Sequence, residues 1–265
     1  MSNEPHDMTI EGMKEIIMKS GYLLEIDVAE ALRKDEWLVF SQYPYVDRKE
    51  GKTRFVDIRA MKHVFPKFSF SLLIQCKKAS HHGWAFSTIG KTPIGKMPRI
   101  EVQAPMARLS HLSMQLRGIV TFENLSEVLK NVESLTRFHP MNPQTRIGTS
   151  CCIPPNHHDD FHEAMLQVLN SLRWIESPFP GTSHIVFPVI VFDGPMWEFH
   201  KEESELKIGN IEYLQYLTAM FGMSDQENEN QFLIDVVRFP FFEGFLRIVN
   251  GSIQWLKEFA KVEEK

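Results

Sequence analysis

The sequence predicts an α/β protein in which helices flank a mixed β-sheet, and three observations support this prediction. Apolar residues within 7–33 recur at the spacing of amphipathic helices. Three strand-like segments then follow one another, at 37–45, 54–61 and 68–77. A short apolar run at 185–192, preceded by a helical segment, is typical of a buried strand. This order of helix, three strands, helix and strand is that of a sheet covered by helices.

Local signals indicate where these elements begin and end. Gly21 is expected to divide the opening segment into two helices, and Gly51 to form the hairpin turn between the first two strands. Asp159 or Asp160 is expected to cap the later helix, which would run to about residue 175. Each element therefore has a signal of its own.

We interpret the chain as a single domain, residues 1–265, made of a core (about 8–80 and 157–200), an insertion (about 81–156) and a C-terminal extension (about 201–265). Because Pro188 has no N–H to donate, the buried strand is expected to begin effectively there, with 196–200 as its hairpin partner. In the other two parts we expect strands at 99–103 and 232–239 and helices at 106–117, 122–138 and 242–262.

The composition is that of an ordinary globular protein, with 43% hydrophobic and 24% charged residues and a formal net charge of -5. This charge excludes a global positive field, so a nucleic-acid partner would need a local basic patch. The three cysteines, two of them adjacent, are no disulfide framework and favour a reducing compartment. Without a signal peptide or a membrane-spanning apolar stretch, we expect a soluble cytoplasmic protein with no membrane partner.

Polar side chains with useful chemistry occupy the second and third predicted strands. In the second strand, the alternation of side chains places Asp57 on the face opposite Val56 and Ile58. At the end of the apolar third strand, Gln75 and Lys77 share a face because they are two residues apart. A carboxylate, an amide and an ammonium group are therefore expected at the ends of neighbouring strands.

The opening helical segment adds a second carboxylate. Glu25 lies at the edge of the buried stripe and is the helix carboxylate best placed to face the sheet. Hydrolysis of a phosphodiester needs a hard cation held by oxygen ligands, and Asp57, the Gln75 carbonyl oxygen and Glu25 through water are ligands of this kind. The Lys77 ammonium would neutralise developing charge or orient the attacking water.

The combination of Glu25 on a helix, Asp57 on the second strand and Gln75-Cys76-Lys77 on the third resembles the PD-(D/E)XK nuclease superfamily in its QxK form. The resemblance spans most of residues 20–200 and takes in Trp84-Ala85-Phe86 and the later strand at 188–193. Two departures stand out. Val56 precedes Asp57 where the family often has proline, and Gln75 replaces an acid, which lowers the charge of the ligand set.

The resemblance implies a restriction-endonuclease-like fold and a metal-dependent nuclease that hydrolyses DNA, with RNA as the less favoured substrate. In such a site Asp57 and Gln75 bind Mg²⁺, with Mn²⁺ as an alternative, Lys77 assists the attacking water and Glu25 completes the site. Two alternatives stay open. Asp57 and Lys77 could form a salt bridge on a solvated face, or the same fold could be a catalytically inactive module that binds nucleic acid or protein.

Further basic and aromatic residues are candidate nucleic-acid contacts. Basic and aromatic side chains that could touch a phosphate backbone or stack on a base are Lys78, His81, His82, Trp84 and Arg54. Arg54 belongs to a basic hairpin with Arg48, Lys49 and Lys52, for which ordinary solvated turn charges are an equal alternative.

Two further segments have weaker signals. The run from Cys151 to His162 is dense in metal-ligand types, but adjacent cysteines do not easily share one tetrahedral zinc ion, and helix capping explains its aspartates better. The aromatic stretch at 239–245 is typical of a core or of a dimer contact, so a homodimer stays open.

Overall fold

A computed structural model of the protein describes residues 9–47, 50–65, 68–79, 82–89, 146–154, 159–172, 183–220 and 230–263. Over these residues the protein is a mixed α/β fold with four α-helices and one ten-stranded mixed sheet. The helices are α1 (Ile10–Lys19), α2 (Tyr22–Lys34), α3 (Asp160–Leu172) and α4 (Phe242–Glu263). A 3-10 turn, Phe239–Phe241, leads directly into α4.

The ten strands, in chain order, are β1 (Leu38–Asp47), β2 (Lys52–Phe65), β3 (Phe68–Lys78), β4 (Trp84–Ile89), β5 (Arg146–Cys152), β6 (Ser183–Asp193), β7 (Met196–Glu202), β8 (Glu205–Asn210), β9 (Tyr213–Met220) and β10 (Asn230–Arg238). Their order across the sheet is β1-β2-β3-β6-β10-β9-β5-β4-β7-β8. The first two strands form the predicted hairpin, and β3 pairs with β2 in antiparallel to extend it into a meander. β6 lies parallel to both β3 and β10.

Two helix ends follow predicted local signals, and the start of α1 has a cap that the sequence analysis did not predict. The Gly12 N–H donates to Thr9 Oγ1 at 3.1 Å and so caps α1, which ends just before Gly21. Asp159 caps α3 by accepting the His162 N–H at 2.9 Å. Both arrangements satisfy N–H groups that have no partner inside a helix. The break at Gly21 and the cap at Asp159 are confirmed.

The core has two layers, one on each face of the sheet. One layer packs α2 and α4 against side chains that include Ile74 and Val189, while the other packs α3 against neighbours that include Ile190. Val189 and Ile190 enter different layers because successive strand residues point to opposite faces. On α2 the buried residues are Leu24, Val28, Ala29 and Leu32. Burying each of the larger ones stabilises the fold by about 1.5–3 kcal/mol.

The strand that contains Pro188 differs from the prediction. It begins at Ser183, five residues before the proline, and not at Pro188. Pairing with β10 starts only at Val189, so the proline lies where β6 has one strand neighbour, β3. A proline is tolerated at such a position because fewer ladder hydrogen bonds depend on its missing N–H.

The prediction that 196–200 pairs with β6 as a hairpin is wrong. β7 pairs instead with β4 in parallel and with β8 in antiparallel. The chain passes from β6 to β7 beside the connection from β3 to β4, with the Ala79 N–H donating to Asp193 O and the Trp84 N–H donating to Pro195 O, each at 3.1 Å. These two hydrogen bonds join the two connections at both ends.

Several strands come from ranges that the sequence analysis assigned to the insertion and the extension. β4 and β5 lie in the first, and β8, β9 and β10 in the second, yet all five belong to the sheet. The strand expected at 99–103 and the helices expected at 106–117 and 122–138 fall outside the described residues. Of the described helices, none is both long and apolar enough to cross a membrane.

Candidate active site

The site is built where β2 and β3 separate. Their backbone pairing ends at Ile58 and Ile74, one residue short of Asp57. Beyond that point the Cys76 N–H donates to Asp57 Oδ2 at 2.7 Å, and Gln75 Nε2 donates to the same oxygen at 2.7 Å. A side-chain carboxylate thus takes the place of a backbone acceptor at the end of the ladder.

Asp57 is buried, with 9% of its surface exposed. The pKa of its carboxyl group is raised from 3.8 to about 7 in total. Burial and the negative charge of Glu25 raise it, while hydrogen bonds from Cys76 and Gln75 and the charge of Lys77 lower it. The charges of Glu25 and Lys77 both act on the Asp57 carboxyl group, and Gln75 donates a hydrogen bond to it. All three other predicted site residues therefore interact with Asp57. With a pKa of about 7, the carboxyl group exists in both its protonated and its ionised form at neutral pH.

Gln75 presents an unsatisfied oxygen to the same region. Its Nε2 is used by Asp57, but its Oε1 is buried and has no hydrogen-bond partner among the described residues. Most buried polar atoms do have a partner, and one that lacks it is a candidate ligand for water or an ion. The Gln75 carbonyl oxygen therefore fits the ligand role that the sequence predicts.

The Lys77 side chain extends towards α3 and pairs there with a residue that the sequence analysis did not identify. Its Nζ lies 2.8 Å from Glu163 Oε2, in the first turn of α3. The alternative of a salt bridge between Asp57 and Lys77 on a solvated face does not describe the structure, since Lys77 pairs with Glu163 and Asp57 is buried. The sequence offered one signal for Glu163, because acidic residues are favoured in the first turn of a helix. Lys77 and Glu163 are 86 residues apart, so nothing in the sequence indicated that they pair.

Glu25 takes its predicted place at the edge of the buried stripe on α2. It is half-buried, whereas Asp27 and Glu30 on the outer side are exposed. Burial raises the pKa of Glu25, and a hydrogen bond from Gln42 lowers it. Gln42 Nε2 donates to Glu25 Oε2 at 2.9 Å, a contact between β1 and α2 that the sequence analysis did not identify.

The strand around Asp57 is less regular than the alternation of its residues predicts. Val56 does not share the surroundings of Ile58, because it packs with Leu73 and Leu172 in a separate cluster. The irregularity coincides with Gln42, which lies opposite Asp57 and has a φ of 52°. The prediction that Val56 and Ile58 share a face is therefore wrong.

The candidate nucleic-acid contacts that the structure describes have different surroundings. Trp84 is fully buried, stacks on Phe192 with ring centroids 3.7 Å apart, and donates its Nε1 to Asp160 Oδ1 at 3.0 Å. It cannot stack on a base, because β4 directs it into the core. His82 lies 3.4 Å from Asp160 Oδ2 and is half-buried.

The remaining basic candidates have other partners. Arg54 forms ion pairs with Asp47 at 3.2 Å and Glu50 at 3.0 Å, which offset its charge. Lys78 is exposed, and its Nζ donates to the Met18 carbonyl at 3.2 Å. His81, Arg48 and Lys49 fall outside the described residues.

The metal donors present at the site are oxygen atoms. Within the described ranges, no group of three His, Cys, Asp or Glu side chains could hold a metal ion. A cation would therefore depend on Asp57, the unpartnered Gln75 oxygen and water, a hard oxygen set that suits Mg²⁺. In the cysteine-rich segment, Cys151 and Cys152 are free thiols and Asp159 serves as a helix cap.

Comparison of the chain with known protein families, with curated proteins and with solved structures gives no match. Inference about function therefore depends on the geometry of the site.

Proposed function

We propose that this protein is a Mg²⁺-dependent nuclease with a restriction-endonuclease-like fold, related to the PD-(D/E)XK superfamily, that hydrolyses phosphodiester bonds in DNA. The observation that carries the proposal is the buried pair of Asp57 and Gln75 at the separation of β2 and β3, with the Gln75 Oε1 left without a partner. Lys77 lies two residues further along the same strand and within electrostatic reach of Asp57.

Each side chain has a distinct part in this proposal. Asp57 and Gln75 would hold the ion, which supplies a Lewis acid for the phosphoryl group and a more acidic bound water. Asp57 would give up its proton when it binds the ion, because a pKa of about 7 leaves about half of these carboxyl groups protonated at neutral pH. Glu25, at the edge of the site, would orient water.

Lys77 would change partner when substrate binds. In the protein alone its ammonium group is paired with Glu163, which is half exposed. A phosphate oxygen entering the site would compete for the same ammonium group, and Glu163 would then turn to solvent at little cost because exposed ion pairs are weak. Lys77 would then stabilise the charge that develops in the transition state.

A specific observation favours the second candidate, a catalytically inactive module of the same fold that binds nucleic acid or protein. The charge of Lys77 is already balanced by Glu163, and the buried pair contains the neutral Gln75 where a second carboxylate would bind a cation more strongly. The two candidates differ in their response to divalent ions.

The first experiment is a thermal-shift titration with Mg²⁺ and Mn²⁺, because an ion that binds only the folded state raises the melting temperature. The variants are Asp57→Asn and the matched control Asp235→Asn. Asp235 is also buried and also accepts a glutamine amide, from Gln215 Nε2 at 3.0 Å, but lies on β10, across β6 from β3.

We expect a cation-dependent shift in the wild type and in Asp235→Asn, and none in Asp57→Asn. Cleavage of single-stranded and double-stranded DNA, and of RNA, is then measured with Mg²⁺. Activity that survives in the double variant Asp57→Ala with Lys77→Ala would exclude this site as the catalytic centre. Metal binding without cleavage would favour the inactive module.

A further inference from the structure

The backbone of Gln42 is unusual for its position. Its φ of 52° lies in the left-handed region, which residues other than glycine rarely adopt. Pairing between β1 and β2 is regular on both sides, with Ser41 opposite Ile58 and Tyr43 opposite Val56, but skips the pair of Gln42 and Asp57. A strained residue directly opposite a candidate metal ligand is typical of a functional constraint.

The side chain of Gln42 spans the distance between two elements. From β1 it donates Nε2 to Glu25 Oε2 on α2 at 2.9 Å, across 17 residues of chain. Gln42 itself is exposed, so its side chain adds little to the core, whereas Glu25 is half-buried. We therefore look for the role of this side chain in its hydrogen bond to Glu25.

The chemistry of the donor also matters. An amide N–H fixes the position of a carboxylate without neutralising it, whereas a lysine or arginine would cancel the charge that attracts a cation.

We propose that Gln42 is a positioning residue that holds the Glu25 carboxylate towards Asp57 and so completes the site for a divalent cation. This inference rests on the proposed function, because it assigns to Gln42 a role in the same metal site. Gln42 touches neither the ion nor the substrate and acts through Glu25. Groups of this kind typically change metal affinity about tenfold or more when removed.

The test measures binding of Mn²⁺ alone, from the signal of the free ion in electron paramagnetic resonance. Two variants remove the amide. Gln42→Met keeps the length of the side chain, and Gln42→Gly also relieves the backbone, because glycine adopts positive φ without cost. We expect both to weaken Mn²⁺ binding about tenfold. The melting temperature of Gln42→Gly without metal is expected at or above that of the wild type.

For Gln42→Gly we thus expect a lower affinity for Mn²⁺ but an unchanged or higher melting temperature. If Gln42 had only a structural role, the variant would lower both. A double-mutant cycle adds a second criterion. Since Gln42 acts through Glu25, Gln42→Met should weaken binding no further when Glu25→Ala is already present. Additive losses would overturn the inference.

The outcomes also separate this inference from the proposed function. Mn²⁺ binding that depends on Asp57 but is unchanged in both Gln42 variants would overturn the role of Gln42 and leave the metal site standing. Absence of any Asp57-dependent Mn²⁺ binding would overturn the proposed function and this inference together.

Discussion

The ammonium group of Lys77 lies 2.8 Å from the carboxylate of Glu163, and this pair joins the end of β3 to the first turn of α3. Lys77 is 19% exposed and Glu163 47% exposed, so solvent screens the pair on one side. We predict that Glu163→Gln lowers the free energy of unfolding by less than about 1 kcal/mol. Urea unfolding of the wild type, Glu163→Gln, Lys77→Met and the double variant would give the coupling energy. A coupling above about 3 kcal/mol would instead mean a desolvated pair.

We predict that Trp84 contributes to the stability of the fold and not to nucleic-acid binding. Trp84→Ala should lower the free energy of unfolding by about 3–5 kcal/mol, since it removes a fully buried indole from its stack on Phe192. The matched control is Trp197→Ala on β7, where the side chain is only half-buried and the loss should be smaller. Urea unfolding compares the two, and equal losses would contradict the assigned burial.

The stability of the protein should depend on pH through Asp57. Its pKa rises from 3.8 in an unfolded chain to about 7 in the folded protein, so the folded state binds the proton more tightly. This contribution favours the folded state fully at low pH and is lost as the pH rises from about 4 to about 7, by roughly 4 kcal/mol at most. Asp57→Asn should remove that part of the pH dependence.

Urea unfolding at about pH 5 and about pH 8 measures this effect, with the fall over that range smaller in Asp57→Asn than in the wild type. Asp27→Asn, which changes an exposed carboxylate on α2, is the control and should retain the pH dependence of the wild type. An equal pH dependence in the wild type and Asp57→Asn would mean that Asp57 is ionised throughout this range.

Metal binding should have the opposite dependence on pH. Under the proposed function a cation must displace the Asp57 proton, so affinity rises as the carboxyl group ionises. Mn²⁺ should bind about tenfold more weakly at pH 6 than at pH 8, since only about one carboxylate in ten is ionised one unit below a pKa near 7. Isothermal calorimetry in two buffers of different ionisation enthalpy would detect the released proton. Binding that is independent of pH, with no proton release, would contradict exchange at Asp57.

The features that were predictable from the sequence depend on local signals. The break at Gly21 and the alternation before Lys77 each depend on residues close in sequence, as does the cap that Asp159 forms on α3. The same is true of Gln75, whose spacing from Lys77 alone places both on one face. Asp57 was identified by its residue type and its place in a strand.

The rest depends on contacts between distant residues, on which local patterns carry no information. The pairing of β7 with β4, the burial of Trp84 and the partner of Lys77 are all set by segments far apart in the chain. Gln42 was missed for another reason. Its left-handed backbone is unusual for glutamine, so nothing in the sequence marks it.

The sheet order also bears on how the chain acquires its native form during synthesis. Every residue of the candidate site except Glu163 has been made once Lys77 leaves the ribosome, yet β3 receives its second neighbour only when β6, Ser183–Asp193, follows. At ordinary rates of translation this interval lasts on the order of 10 s. During it the outer edge of β3 lacks its native neighbour, and exposed strand edges invite association with other chains. A chaperone bound to this edge would prevent such association until β6 has been synthesised.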